Sequence, residues 1–248
     1  EMKSFTRVFF IISILLLHLT FFHAEECVES LYEKRYCDVE GAIAKPNPGT
    51  MNGKLIITGV GRAGTTLLTA IFTDLKLRTG FSTEVVDSFI KTGVSGMEQL
   101  DILHGFPPNV DIVKSPFLAC PRYYGVMESC SQAIDCRILI PVRSTEETGL
   151  SRLNNQKNHI NAGALIAVSE KCQEEFDNKL ISDFIVEIVK SDAKFSFIAY
   201  PEFVHSVDYA YKELKEILDF YNVTREAFNN SYSKLTDAHK NHNYTSGH

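Results

Sequence analysis

KLIITGVGRAGTTLLTA, residues 54–70, sets an apolar run, a glycine-rich turn and a second apolar run in direct succession. The first run, residues 54–60, centred on Leu55, Ile56 and Ile57, reads as a strand buried on both faces of a parallel sheet. The second carries Leu67, Leu68, Ile71 and Leu75 at helical spacing. A strand, a glycine-rich turn and a helix make an anion cradle: successive backbone N–H groups face the ligand, and the helix adds its positive end. Gly61 and Gly64 allow close approach, Thr65 and Thr66 bring hydroxyls, and Arg62 brings a cation beside Ala63. A nucleotide-hydrolysing P-loop carries lysine directly after the last glycine. Thr65 stands there, so the cation has moved ahead of Gly64.

The pattern repeats outward from this unit. Residues 110–116 (VDIVKSP), 136–144 (CRILIPVRS) and 195–203 (FSFIAYPEF) read as further strands, and residues 81–89 (FSTEVVDSF) as a short strand entering a loop or helix. Between them lie helical stretches at 145–156, 174–191 and 206–223; in the last, Val207, Tyr211, Leu214, Leu218 and Tyr221 share one face. Ser144 and Glu147 have the spacing of a capping box and start a helix just after Arg143. Alternating strands and helices predict an α/β three-layer sandwich with a central parallel sheet, and ligands at the carboxyl ends of its strands. The chain divides into a signal or anchor at 1–24, an extension at 25–52, the main domain at 53–232 and a polar, frayed tail at 233–248.

With 248 residues, 44% of them hydrophobic, the chain suits one domain with a full core. A net charge of −6 argues against nucleic acid as a partner, which needs a basic face. Lys3 and Arg7 precede the apolar run VFFIISILLL, and Glu25 and Glu26 follow it, the pattern of a cleaved secretory signal or a retained membrane anchor. Three N-x-[ST] sequons begin at Asn222, Asn229 and Asn243. Six cysteines, none spaced C-x-x-C, read as disulfides in an oxidising compartment, with Cys27 and Cys37 a plausible pair; zinc is not expected.

The motif Arg62-x-Gly64-Thr65-Thr66 after a strand resembles the 5′-phosphosulfate loop of the sulfotransferases that use 3′-phosphoadenosine 5′-phosphosulfate (PAPS). Arg143 at a strand end, with Ser151 eight residues on, resembles the family's 3′-phosphate site. The segment FSFIAYPEFVHS and its following helix resemble the family's late strand and helix, although Pro201 departs from the usual Y-E-D-L. These likenesses span most of residues 54–221. They imply metal-free sulfuryl transfer to a hydroxyl or amine, with Arg62 and the loop holding the leaving phosphate. Lys114 resembles the lysine of the K-D-P-F segment in protein-tyrosine sulfotransferases, with Ser115 replacing the aspartate, and is expected to hold the sulfuryl group. Glu84 is the expected base, followed by Asp87 and then His104. The lumenal members of the family imply a Golgi enzyme acting on carbohydrate or, second, on peptidyl tyrosine. The alternatives are a P-loop nucleotide kinase and a non-catalytic lumenal nucleotide-binding protein.

Overall fold

The computed structural model describes residues 46–59, 61–92, 97, 106–120, 123–157 and 170–245. The N-terminal apolar run, Cys27, Cys37 and His104 lie outside them. Among the described residues, no helix is long and apolar enough to cross a membrane.

The fold is α/β, with a central parallel sheet of four strands flanked by helices. The strands are β1 (Leu55–Ile57), β2 (Ile112–Lys114), β3 (Arg137–Val142) and β4 (Lys194–Ala199), in the spatial order β2-β1-β3-β4. All three pairings are parallel, and Ile56 sits opposite both Val113 and Ile138. The helices are α1 (Thr65–Asp74), α2 (Thr83–Thr92), α3 (Tyr124–Gln132), α4 (Thr145–Lys157), α5 (Glu170–Ser191), α6 (Glu202–His205), α7 (Val207–Phe220) and α8 (Arg225–Thr245).

The period of two along each strand divides the core into two layers. Ile56, Val113, Ile138 and Ile140 pack against Val126 and Met127 of α3 and Phe184 and Ile188 of α5. Leu55, Ile57, Ile112 and Leu139 pack on the other face against α1, α7 and α8, through Leu68, Leu214 and Phe228. A fully buried Leu or Ile contributes about 1.5–3 kcal/mol, which is why both faces of so short a strand as β1 are apolar. Cys130 and Cys136 form a disulfide across the connection from α3 to β3, and Cys120 is disulfide-bonded as well.

Two segments depart from the sequence reading. Residues 83–92 form a helix, not a strand. The β-branched pair Val85 and Val86 suggested a strand, but the Ser82 carbonyl accepts the first helical bond from Val86 N at 3.3 Å, and Glu84 is an acid in the first turn. Both features favour a helix N-terminus. The C-terminal residues, expected to fray, are helical to Thr245. Phe228, Tyr232, Leu235 and Thr236 are buried, so α8 has its own core face. Ser231 and Lys234 on α8 bond Asp74 at the end of α1, at 2.5 and 2.7 Å.

Candidate functional site

Strand order fixes where a ligand can sit. From β1 the chain crosses to β2 on one side, and β3 then lies on the other side of β1. The crevice between the carboxyl ends of β1 and β3 is therefore the topological switch point of the sheet. The glycine-rich loop leaves β1 at this point, and Arg143 directly follows β3.

The loop holds a backbone that only certain residues tolerate. Gly61, Arg62 and Gly64 have φ of 78°, 55° and 92°. For Arg62, a non-glycine residue, this left-handed conformation costs about 1–2 kcal/mol. It turns the arginine side chain toward α4, where Nε donates to Ser151 Oγ at 3.1 Å. Gly64 has a second constraint. A Cβ placed there would lie 2.7 Å from the Phe203 ring and 3.0 Å from that of Tyr200. The loop is thus seated directly on the segment after β4. Gly64 gives α1 no side-chain cap. An α-helix leaves its first N–H groups without helical partners, so the start of α1 suits an anion.

Arg143 approaches from β3. One of its terminal nitrogens donates to the Arg62 carbonyl at 3.3 Å, and Nε donates to Glu147 Oε2 at 3.1 Å. Its guanidinium lies 4.6 Å from the centre of the Tyr200 ring, a cation–π contact. Burial pushes the Tyr200 hydroxyl above its usual range, while the positive charge of Arg143 pulls the other way. The start of α4 follows the sequence in part: Glu147 N donates to Ser144 Oγ at 3.2 Å, but the Glu147 carboxylate turns to Arg143.

Lys114 ends β2 with 1% of its surface exposed, and its Nζ donates to Thr66 Oγ1 at 2.8 Å. Ala63 and Thr65 are buried at the same turn.

The structure thus brings together Arg62, Ala63, Gly64, Thr65, Thr66, Lys114, Arg143 and Ser151, from three strand ends and two helices. It does not bring Glu84 or Asp87 to them. Helix α1 has 10 residues, so it carries the chain about 15 Å away from the loop at 1.5 Å per residue. Its far end adjoins the start of β2, where Asp111 N donates to the Arg78 carbonyl at 2.7 Å. Helix α2 begins only five residues later. Glu84 is exposed there, and its carboxyl lies below its usual range because Ser82 and its own backbone N–H bond to it, with a smaller contribution from Lys76. Asp87 lies 3.8 Å from Lys234, the residue that also bonds Asp74. Both carboxylates belong to the opposite edge of the sheet. The expectation that the chain returns them to the ligand edge rested on a strand at 81–89; a helix starting at the amino edge does otherwise.

Tyr200 and Phe203 were missed as site residues. The sequence held a signal for them, two aromatics directly after the last strand, but no pattern linked them to Arg143 or Gly64 across the sheet.

No family model matches the chain, and no curated protein matches it. Among solved structures it is similar to a sulfotransferase from Alicyclobacillus acidocaldarius. That likeness has a TM-score of 0.41 and 12% identity, and covers 69% of this chain and 81% of the bacterial one. The functional reading below therefore rests on the residues of the site.

Proposed function

We propose that the carboxyl edge of this sheet binds PAPS and transfers its sulfuryl group to an acceptor hydroxyl or amine. One observation carries the reading: Arg62, Ser151 and Arg143, up to 89 residues apart in the chain, converge on the loop, linked by the 3.1 Å and 3.3 Å hydrogen bonds. A donor with phosphate at both the 5′ and 3′ positions requires two anion sites. The loop and the start of α1 supply the first. Arg143 and Ser151 supply the second, because charge-assisted bonds to a guanidinium suit a phosphate dianion.

The chemistry follows from this placement. The acceptor oxygen or nitrogen forms a bond to sulfur as the bond from sulfur to the 5′-phosphate oxygen breaks, and adenosine 3′,5′-bisphosphate leaves. The acceptor proton passes to a base. Charge grows on the bridging oxygen and the sulfuryl oxygens. Lys114 and Arg62 stabilise it from fixed positions, which is more effective than solvent that must reorganise. A carbohydrate acceptor in the secretory pathway is the preferred substrate class, with peptidyl tyrosine second. The apolar N-terminal run and the sequons support the lumenal placement.

A second reading has its own support. The carboxylates expected to act as bases lie at the other edge, as a nucleotide-binding protein without transfer activity would allow. Labelled sulfate transfer from PAPS onto glycans and tyrosine peptides, with binding of adenosine 3′,5′-bisphosphate and ADP measured in parallel, separates the two. Transfer supports the enzyme. Tight bisphosphate binding without transfer supports the binding protein. Equal affinity for the two nucleotides removes both.

A further inference from the structure

The sequons beginning at Asn222 and Asn229 read alike in the sequence, and the fold separates them. Asn222 lies in the turn between α7 and α8, exposed, with a φ of 56°. The turn closes through Val223 N donating to the Leu218 carbonyl at 2.8 Å, and does not use the asparagine as a core residue. Thr224, at the third position of the sequon, is exposed as well and accepts from Ala227 N at 3.2 Å. The preceding residue, Tyr221, reaches the carbonyls of Gly53 and Asp111 at 3.3 and 3.4 Å. That places the turn at the amino edge of the sheet, across the molecule from the glycine-rich loop.

Asn229 lies inside α8 between the buried Phe228 and Tyr232. Its Oδ1 is buried without a hydrogen-bond partner. Ser231, the third residue of that sequon, is buried, and its hydroxyl bonds Asp74 on α1. Asn229 is half-buried, and a sugar on it would have to be accommodated beside that buried amide oxygen, next to the core face of α8. Chains glycosylated there before folding would have to open that flank of α8, whereas a sugar on the exposed Asn222 projects into solvent.

We infer that Asn222 is an N-glycosylation site of the folded protein and that Asn229 is not. The inference rests on the lumenal placement proposed above and is independent of sulfuryl transfer. Its geometry has a further consequence: the glycan stands at the edge away from the phosphate loop, so it leaves the crevice open.

The test must separate a bare Asn222 from a chain that never reached the lumen. Asp192 sits in another exposed turn with the same φ of 56°. Asp192→Asn with Lys194→Thr writes a reporter sequon there, in a backbone that asparagine tolerates. The full chain with this reporter is expressed in a eukaryotic secretory host. Glycosylated molecules are captured on a lectin, the protease-resistant fraction is taken, and occupancy is mapped by peptide mass spectrometry. Every captured molecule has met the glycosylation machinery, whatever it does to PAPS. The expected result is Asn222 occupied and Asn229 bare, with one glycan mass lost in Asn222→Asp. Captured, folded molecules with Asn222 bare, or with sugar on Asn229, overturn the inference.

Discussion

The two edges of the sheet arrange their charges differently. At the amino edge, Asp111 meets Lys54 at 3.0 Å and Arg78 at 2.5 Å, a carboxylate between two cations. Burial raises the Asp111 carboxyl, but the bonds and charges of Arg78 and Lys54 outweigh it and hold the group below its usual range. The backbone of β1 and β2 closes around this cluster, with Tyr221 on the Asp111 carbonyl. At the carboxyl edge, Arg62 donates to the Ser151 hydroxyl and Lys114 to the Thr66 hydroxyl, while Arg143 is shared between the Arg62 carbonyl and the Glu147 carboxylate. The backbone there is left-handed at three of four consecutive residues, 61 to 64. Ion pairs that satisfy one another hold a fold together. Three cations gathered from separate strand ends on a strained loop, at the start of a helix, suit an anion from outside.

The comparison predicts the largest difference at two glycines. Gly64→Ala puts a methyl against Phe203 at a φ of 92°. Left-handed strain and overpacking together should cost about 2–5 kcal/mol, and bisphosphate binding should fall with the loop's shape. Gly53, at the amino edge, also has a positive φ, but a Cβ there meets Phe220 only at an ordinary 3.6 Å. Gly53→Ala should cost about 1–2 kcal/mol and leave nucleotide affinity unchanged. Denaturant melts and titration calorimetry on the pair check this; equal losses of stability and affinity would erase the distinction between the edges.

Next comes the arginine at the end of β3. A hydrogen bond to a charged group is worth about 1.5–3 kcal/mol, so Arg143→Ala should weaken adenosine 3′,5′-bisphosphate by roughly 10- to 100-fold. ADP lacks the 3′-phosphate and should be affected far less. A uniform loss for both nucleotides would make Arg143 a general loop support and not a 3′-phosphate ligand.

The amino edge has a matching test in pH. The Asp111 carboxyl is depressed in the folded state. Its stabilisation is therefore present above the ordinary carboxylate range and is lost as pH falls through it, below about pH 4. Asp111→Asn should cost about 1–2 kcal/mol at pH 7, after allowing for partial exposure. The gap between variant and parent should close in acid. A gap that is constant from pH 7 to pH 3 would mean the residue acts through packing alone.

The two edges also differ in how far they were legible. The four strands and the loop could be read because each is a local pattern: an apolar run or a glycine spacing. Helix α2 was misread because Val85 and Val86 favour a strand locally, while the start set by Ser82 and Glu84 decides for a helix. Helix α8 was missed because Phe228, Tyr232 and Leu235 are spread among polar residues that look like a tail. Tyr200 and Phe203 meet the loop only through the pairing of β3 with β4 and the order of the sheet, which no spacing in the chain records.

A smaller effect is expected at Glu147. Its carboxylate holds Arg143 at 3.1 Å in an i,i+4 pair, and it is about half exposed. A 3′-phosphate must compete with it for the same guanidinium. Exposed pairs of this kind are worth about 0.3–0.5 kcal/mol, so Glu147→Gln should tighten bisphosphate binding by roughly twofold. Weakened binding would mean that the carboxylate orients Arg143 for the phosphate instead of competing with it.

The smallest effect is expected where the sequence alone put one of the largest. A carboxylate that takes the acceptor proton contributes about 10²–10⁴-fold in rate, and its removal is correspondingly severe. Glu84 does not have that position. It lies beyond the far end of α1, beside Lys76, and its carboxyl is occupied by Ser82 and its own backbone N–H at the start of α2. Glu84→Gln keeps the shape, and glutamine can still accept those bonds, so turnover should stay within about twofold of the parent. Asp87→Asn should behave in the same way, because Asp87 faces Lys234 on α8. Rates of sulfate transfer from PAPS, measured for both variants at saturating donor, decide the matter. A loss of the size expected for a base, with nucleotide affinity and melting temperature unchanged, would mean that α2 reaches the crevice during turnover, and the division of labour between the two edges would have to be redrawn.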